Sequence, residues 1–144
     1  MIQKTKQPSR PFAQSLERLR RAGLRPTRQR LALARLLFDA PDRHVTAEQL
    51  HGEAVEARVP VSLATVYNTL NQFTRAGLLR EVVVESGRAY FDTNTSDHHH
   101  FLFVDTGELM DLPQDAVDVK SLPAAPAGTV IDRVDVIIRL HKQG

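Results

Sequence analysis

The sequence predicts an α+β protein in two parts, and three observations carry that reading. Apolar residues recur at helical spacing as far as Gly77 and at strand spacing beyond it. Charge divides near the same place: residues 1–80 hold 14 Lys/Arg against 6 Asp/Glu, net +8, and residues 81–144 hold 5 against 11, net −6. Three adjacent histidines, His98, His99 and His100, precede an apolar run in a chain with no cysteine.

Each element has a local reason. Residues 1–10 are polar and read as loose. Phe12–Ala22 reads as a helix, with Leu16 and Leu19 among charges and Gly23 as its stop. Thr27 is placed to cap a second helix carrying Leu33, Leu36 and Leu37, which Pro41-Asp42 ends. Thr46-Ala-Glu-Gln49 is a capping-box pattern opening a third helix with Leu50, Ala54 and Val55, closed by Val59-Pro60. Ser62 caps a fourth, whose apolar stripe is Leu63, Val66, Leu70 and Phe73. Its other face carries Thr65, Asn68, Thr69, Gln72 and Arg75, and Gly77 ends it. Leu78–Glu85 and Arg88–Thr93 then read as strands joined by a Ser86-Gly87 turn. Helices followed by a two-stranded hairpin are the plan of a winged helix-turn-helix, so residues 1–93 are predicted to form that domain. Residues 94–144 are predicted to form a small α/β domain. It would hold strands at His100–Asp105 and Glu108–Leu112, a short helix within Pro113–Leu122, and an apolar-rich run over Thr129–His141. So small a β element rarely stands alone, and pairing with a second copy into a two-fold homodimer is expected.

Composition narrows the function. With 42% hydrophobic and 25% charged residues the chain has the balance of a soluble globular protein. No apolar run approaches the roughly 20 residues that span a bilayer. The N-terminus lacks the apolar core of a signal peptide, so no membrane association and a cytoplasmic location are expected. Without cysteine there is no disulfide framework, thiol catalysis or thiolate-ligated structural zinc. The basic half suggests a polyanionic partner.

Two clusters carry chemistry. Alternate side chains of a strand share a face, so His98 and His100 would point one way and His99 the other. Paired imidazoles flanked by Asp92 and Asp97 suit a divalent transition metal (Zn, Mn or Fe), or haem iron held by His98, His99 and His100. The fourth helix is the candidate reader of double-stranded DNA, its N-terminal end carrying Ser62, Thr65, Tyr67 and Asn68. Asn68 can pair bidentately with adenine and Tyr67 can pack on a thymine methyl. Arg25, Arg28, Arg30 and Arg75 would hold phosphates or enter a narrow minor groove. A small non-haem metalloenzyme or a metal-trafficking module could use the same His/Asp set. The first has little room for a substrate cavity in the second half, and the second leaves the basic half unexplained.

Five motifs in register resemble the ferric uptake regulator family over residues 15–112. They are Gly23-Leu-Arg-Pro-Thr-Arg-Gln-Arg30, His44-Val-Thr-Ala-Glu-Gln-Leu50, Ala64-Thr-Val-Tyr-Asn-Thr-Leu-Asn71, Ala76-Gly-Leu78 and His98–Gly107. The triple histidine and missing cysteine pairs look most like the iron response regulator (Irr) branch, which is similar in using haem as a signal. The resemblance implies a homodimeric winged-helix repressor that senses iron status and binds an AT-rich inverted repeat. By it, Tyr67 contacts bases and Arg25 reaches the minor groove. Many relatives have arginine where this chain has Asn68, which implies a different base preference. The resemblance further implies a metal held between domains by His44, Asp92, His98 and His100, with Asp111 as a further carboxylate. Metal and DNA binding would then share a coupling free energy. The family's cysteine-pair zinc site would begin near Phe103 and Thr106, and neither is cysteine. Of a second site, His99 and Asp118 lie near the expected places, while Val134 stands near the last ligand's position. The N-terminal cysteine haem motif of some Irr proteins is missing.

Overall fold

A computed structural model describes residues 12–85 and 88–144. They form two compact units. One takes in the described residues through Val83 together with 88–95, and the other takes in Val84, Glu85 and Ser96–Gly144. The expected polar N-terminal stretch and the Ser86-Gly87 turn lie outside the described residues.

The first unit runs α1 (Ala13–Arg21), α2 (Arg28–Phe38), β1 (His44–Val45), α3 (Ala47–Glu56), α4 (Leu63–Arg75), β2 (Arg80–Glu85) and β3 (Arg88–Asp92). Three helices start on side-chain caps. Thr27 accepts from the Arg30 N–H, Thr46 and Gln49 form a reciprocal capping box, and Ser62 accepts from the Thr65 N–H. Gly23 and Gly77 follow α1 and α4 at φ +75° and +82°, where a side chain would be strained. Leu19, Leu33, Leu37, Leu50, Val66, Leu70 and Phe73 are fully buried in one core.

Three details differ from the sequence reading. Leu63 is 36% exposed and Thr69 only 4%. Leu63 is the first residue of α4, beyond the reach of the core, and small Thr69 packs inside the stripe's edge. The hairpin gains a third strand, β1, giving the order β1-β3-β2. Two residues carry too little periodicity to announce a strand; pairing of His44 with Asp92 and Val45 with Phe91 creates it.

In the second unit β4 (His99–Phe103) is central in the order β5-β4-β6. It pairs antiparallel with β5 (Glu108–Leu112) and parallel with β6 (Ile137–Leu140). Gly107, at φ +75°, turns the chain between β4 and β5. The predicted helix within Pro113–Leu122 is only a 3-10 turn at Gln114–Ala116. Pro113 precedes it and β-branched Val117 and Val119 follow, which shortens any helix. The apolar-rich run of Thr129–His141 is strand only at Ile137–Leu140, the residues that reach β4. The expected α/β domain is therefore a three-stranded sheet with irregular connections and no α-helix among its described residues.

Candidate metal centre and nucleic-acid interface

The second unit brings His98, His100 and Asp111 together. β4 is buried at alternate positions, so His100 and Leu102 share the inner face, and β5 sets Asp111 directly opposite His100. The Nε2 atoms of His98 and His100 lie 3.4 and 3.3 Å from the same oxygen of Asp111. The two rings stand 4.5 Å apart at 60°. Ligand atoms of the three residues all lie within 4.8 Å of one another.

The hydrogen bonding prepares His98 for a cation. Its Nδ1 lies 2.7 Å from the Ser96 carbonyl. A carbonyl only accepts, so Nδ1 carries a proton and Nε2 is the nitrogen turned toward Asp111. This is the outer-shell arrangement that orients a metal-ligating imidazole. Two imidazoles and a carboxylate suit Zn²⁺, Mn²⁺ or Fe²⁺.

His99 is placed differently. Its Nδ1 accepts the Val136 N–H at 3.1 Å, which assigns the ring proton to Nε2. Both ring nitrogens are thus committed, and His99 offers no lone pair to iron in this arrangement. The three candidate haem histidines are divided, two inward and one onto the backbone beside β6. Asp97 and Asp118 are exposed.

The other two metal candidates lie in the first unit and face each other across the β1–β3 pair, His44 opposite Asp92. Asp92 is fully buried and accepts the Asn94 N–H at 2.9 Å. His44 meets the Tyr90 ring edge-on at 5.7 Å.

The first unit also presents the candidate DNA-reading surface. α3, a short connection and α4 form the helix-turn-helix, and the connection includes Arg58 at φ +58°. At the start of α4, Ser62, Tyr67 and Asn68 are exposed and Thr65 is half-buried. The Ser62 hydroxyl donates to Thr65 Oγ1 at 2.9 Å, tying the first turn. Arg25 and Arg28 are exposed. Arg30 is engaged within the fold. Its Nε and Nη2 donate to Gln72 Oε1 at 3.2 and 2.9 Å, and its Nη1 donates to the Arg25 carbonyl at 2.8 Å. It ties the loop of Arg25 to the recognition helix.

Tyr67 has a partner that the sequence reading missed. Its hydroxyl donates to Glu48 Oε1 at 2.6 Å. The bond holds the Glu48 carboxyl below the usual carboxylate range, helped by the residue's own backbone N–H, and pushes the Tyr67 phenol above its ordinary value. Glu48 was legible only as part of a capping-box helix start; its reach to Tyr67 depends on how α3 crosses α4. Gln72 carried no sequence signal for Arg30, which lies 42 positions away.

Known proteins resemble this chain in sequence and fold. The model of the ferric uptake regulator family matches residues 21–137. The ferric uptake regulation protein of Pseudomonas aeruginosa is 42% identical over 94 residues, covering 65% of this chain and 70% of that protein. The corresponding protein of Vibrio vulnificus is 33% identical over 113 residues, covering 78% and 76%. Among solved structures, the ferric uptake regulator of Pseudomonas aeruginosa with manganese superposes with a TM-score of 0.67 at 28% identity, covering 90% of this chain and 98% of that one. The Vibrio cholerae regulator shares the fold with a TM-score of 0.69, covering 88% and 98%. A winged unit with an arginine-flanked helix, followed by a strand unit that gathers His98, His100 and Asp111, thus has a family, and this chain belongs to the ferric uptake regulator family.

Proposed function

We propose that this chain represses transcription in response to iron status, with a divalent metal at His98, His100 and Asp111 as its effector site. Membership of the family makes it a metal-responsive DNA-binding regulator rather than an enzyme. The observation that carries the metal assignment is the pair of imidazole Nε2 atoms at 3.4 and 3.3 Å from one carboxylate oxygen. The Ser96 carbonyl adds the outer-shell bond that such a site requires. Following the resemblance, His44 and Asp92 are metal ligands as well. Ser62, Thr65, Tyr67 and Asn68 read an AT-rich inverted repeat, and Arg25 and Arg28 meet its backbone. Arg30 acts by holding the Arg25 loop.

A homodimer suits an inverted repeat, because two-fold protein symmetry mirrors half-site symmetry. The second unit leaves Met110, Val119, Leu122, Val130 and Ile131 between 42% and 89% exposed, surface that a second copy would cover. No helix among the described residues is long and apolar enough to cross a membrane.

Haem, the signal suggested by the likeness to the Irr branch, fits less well than a bare ion. His98 and His100 are 5% and 0% exposed, so a porphyrin reaches their nitrogens only after local opening, and His99 is committed to Val136.

The test is a gel shift on an AT-rich inverted repeat with Mn²⁺, Fe²⁺ or Zn²⁺, with haem and with chelator. Sequence-specific binding that needs a divalent ion, and that His98→Ala with His100→Ala abolishes, is expected. Affinity should fall steeply with salt, because phosphate contacts release counterions. Binding indifferent to sequence, or to the ion, rejects the proposal.

A further inference from the structure

We propose that Glu48 is a specificity-determining residue of the DNA interface, making the Glu48–Tyr67 pair an acceptor-only surface that selects base edges bearing an exocyclic amino group. The inference rests on the DNA-binding reading of α4 and goes beyond it, because Glu48 lies on the preceding helix.

A phenol has one proton to donate. Here that proton is committed to Glu48 Oε1 at 2.6 Å. What remains on Tyr67 for an incoming base is its ring face and an oxygen lone pair. An ionised carboxylate also only accepts. Both residues are exposed, Tyr67 at 38%, so the pair forms part of the surface that meets a duplex. It lines a groove of about 540 Å³ with Thr46, Asn71, Glu81 and Arg88. Of these, Asn71 and Arg88 bring donors, while the two glutamates bring negative charge.

In the major groove, cytosine N4 and adenine N6 are donors, whereas guanine O6 and N7 and thymine O4 are acceptors. An acceptor-only pair satisfies the first group and leaves the second facing a lone pair and a negative charge. Glu48 and Glu81 together oppose a phosphate there, although Glu48 lies in the first turn of α3, where helix geometry would otherwise welcome an anion, and Arg88 in the same groove offsets part of their charge. The neighbouring arginines supply affinity without sequence information; Glu48 withholds affinity from the wrong bases, as a repulsive element in specificity does.

The experiment selects from an operator library randomised at each half-site, using the metal-loaded full chain and its Glu48→Gln and Tyr67→Phe variants. Glutamine can donate, so Glu48→Gln is expected to flatten the preference at one base pair per half-site by roughly 5- to 150-fold. It should also bind mixed-sequence DNA more tightly. Tyr67→Phe keeps the ring and carboxylate, and should flatten the same position with an unchanged salt dependence. A wild-type profile retained in both variants, with affinity shifted uniformly, overturns the inference and leaves the regulator reading intact. Loss of all selectivity in the wild type overturns both. Circular dichroism identifies a misfolded Glu48→Gln chain, in which case Tyr67→Phe decides alone.

Discussion

Replacing Arg30 with methionine separates two roles that an arginine near DNA can hold. The substitution keeps much of the aliphatic stem and removes the guanidinium, with its bonds to Gln72 Oε1 and the Arg25 carbonyl. A hydrogen bond to a charged group contributes about 1.5–3 kcal/mol. Two of the three share one acceptor and do not count twice, and the side chain is half-exposed, so water competes for it. The net loss should be about 1–2 kcal/mol. Urea denaturation measures it, and a double-mutant cycle with Gln72→Ala should return a coupling of about 0.5–1.5 kcal/mol. DNA titrations at several salt concentrations then distinguish the roles. A brace that positions the Arg25 loop weakens binding with the slope of log K against log salt retained. A lost phosphate contact lowers that slope by about 0.9. A variant as stable as wild type to within about 0.5 kcal/mol, with the lower slope, would refute the brace and restore Arg30 to the phosphate-binding set.

Mn²⁺ or Zn²⁺ at about 100 times its Kd should stabilise the wild-type chain by about 2.7 kcal/mol, and His98→Ala with His100→Ala should remove that increment in thermal melts. The Glu48–Tyr67 bond predicts opposite effects at the two ends of the pH scale. The carboxyl's folded value is lowered, so its contribution is complete above the unfolded value of about 4.3 and is lost as pH falls through the folded value. The phenol's folded value is raised, so its contribution is complete below about 10 and is lost as pH rises through the folded value. Glu48→Gln should therefore lose less stability in acid than wild type. In a Tyr90→Phe background, where Tyr67 is the only tyrosine, phenolate absorbance should appear at lower pH once Glu48 is replaced. Arg58→Gly should raise stability by about 0.5–1 kcal/mol, since a non-glycine residue at positive φ is strained; equal or lower stability in urea would show that the Arg58 side chain compensates.

Much of the first unit was legible because its signals are local. Thr27, Thr46 and Ser62 each act within three residues, and the caps stand where the sequence put them. The Val66, Leu70 and Phe73 stripe repeats at helical period and is buried. What escaped the reading depends on partners far along the chain. β1 exists because β3 lies beside it, Arg30 is half-covered because Gln72 reaches it, and Tyr67 is clasped because α3 crosses α4. The second unit was less legible still. Its central strand takes one neighbour from β5 and the other from β6, some thirty residues later, so the apolar run ending the chain showed no strand length of its own.

The histidine run shows why residue type alone was insufficient and register completes it. Three identical neighbours face two environments because strand side chains alternate. The β4–β5 register pairs Leu102 with Leu109, both 3% exposed, and by the same count pairs His100 with Asp111. A one-residue slip would turn every side chain of β4 to the other face. Leu102 would leave the core, and His99 would replace His100 on the inner face. Such a slip would forfeit about 1.5–3 kcal/mol of burial for one leucine and force the half-buried rings of Phe101 and Phe103 into space packed for Leu102 and His100, with no contribution required from a metal. Apolar packing therefore sets the ligand geometry before any ion arrives. Leu102→Ala, which removes no ligand, should then weaken metal binding as well as stability. Metal affinity unchanged in a destabilised Leu102→Ala chain would show that His98, His100 and Asp111 are held by something other than the register.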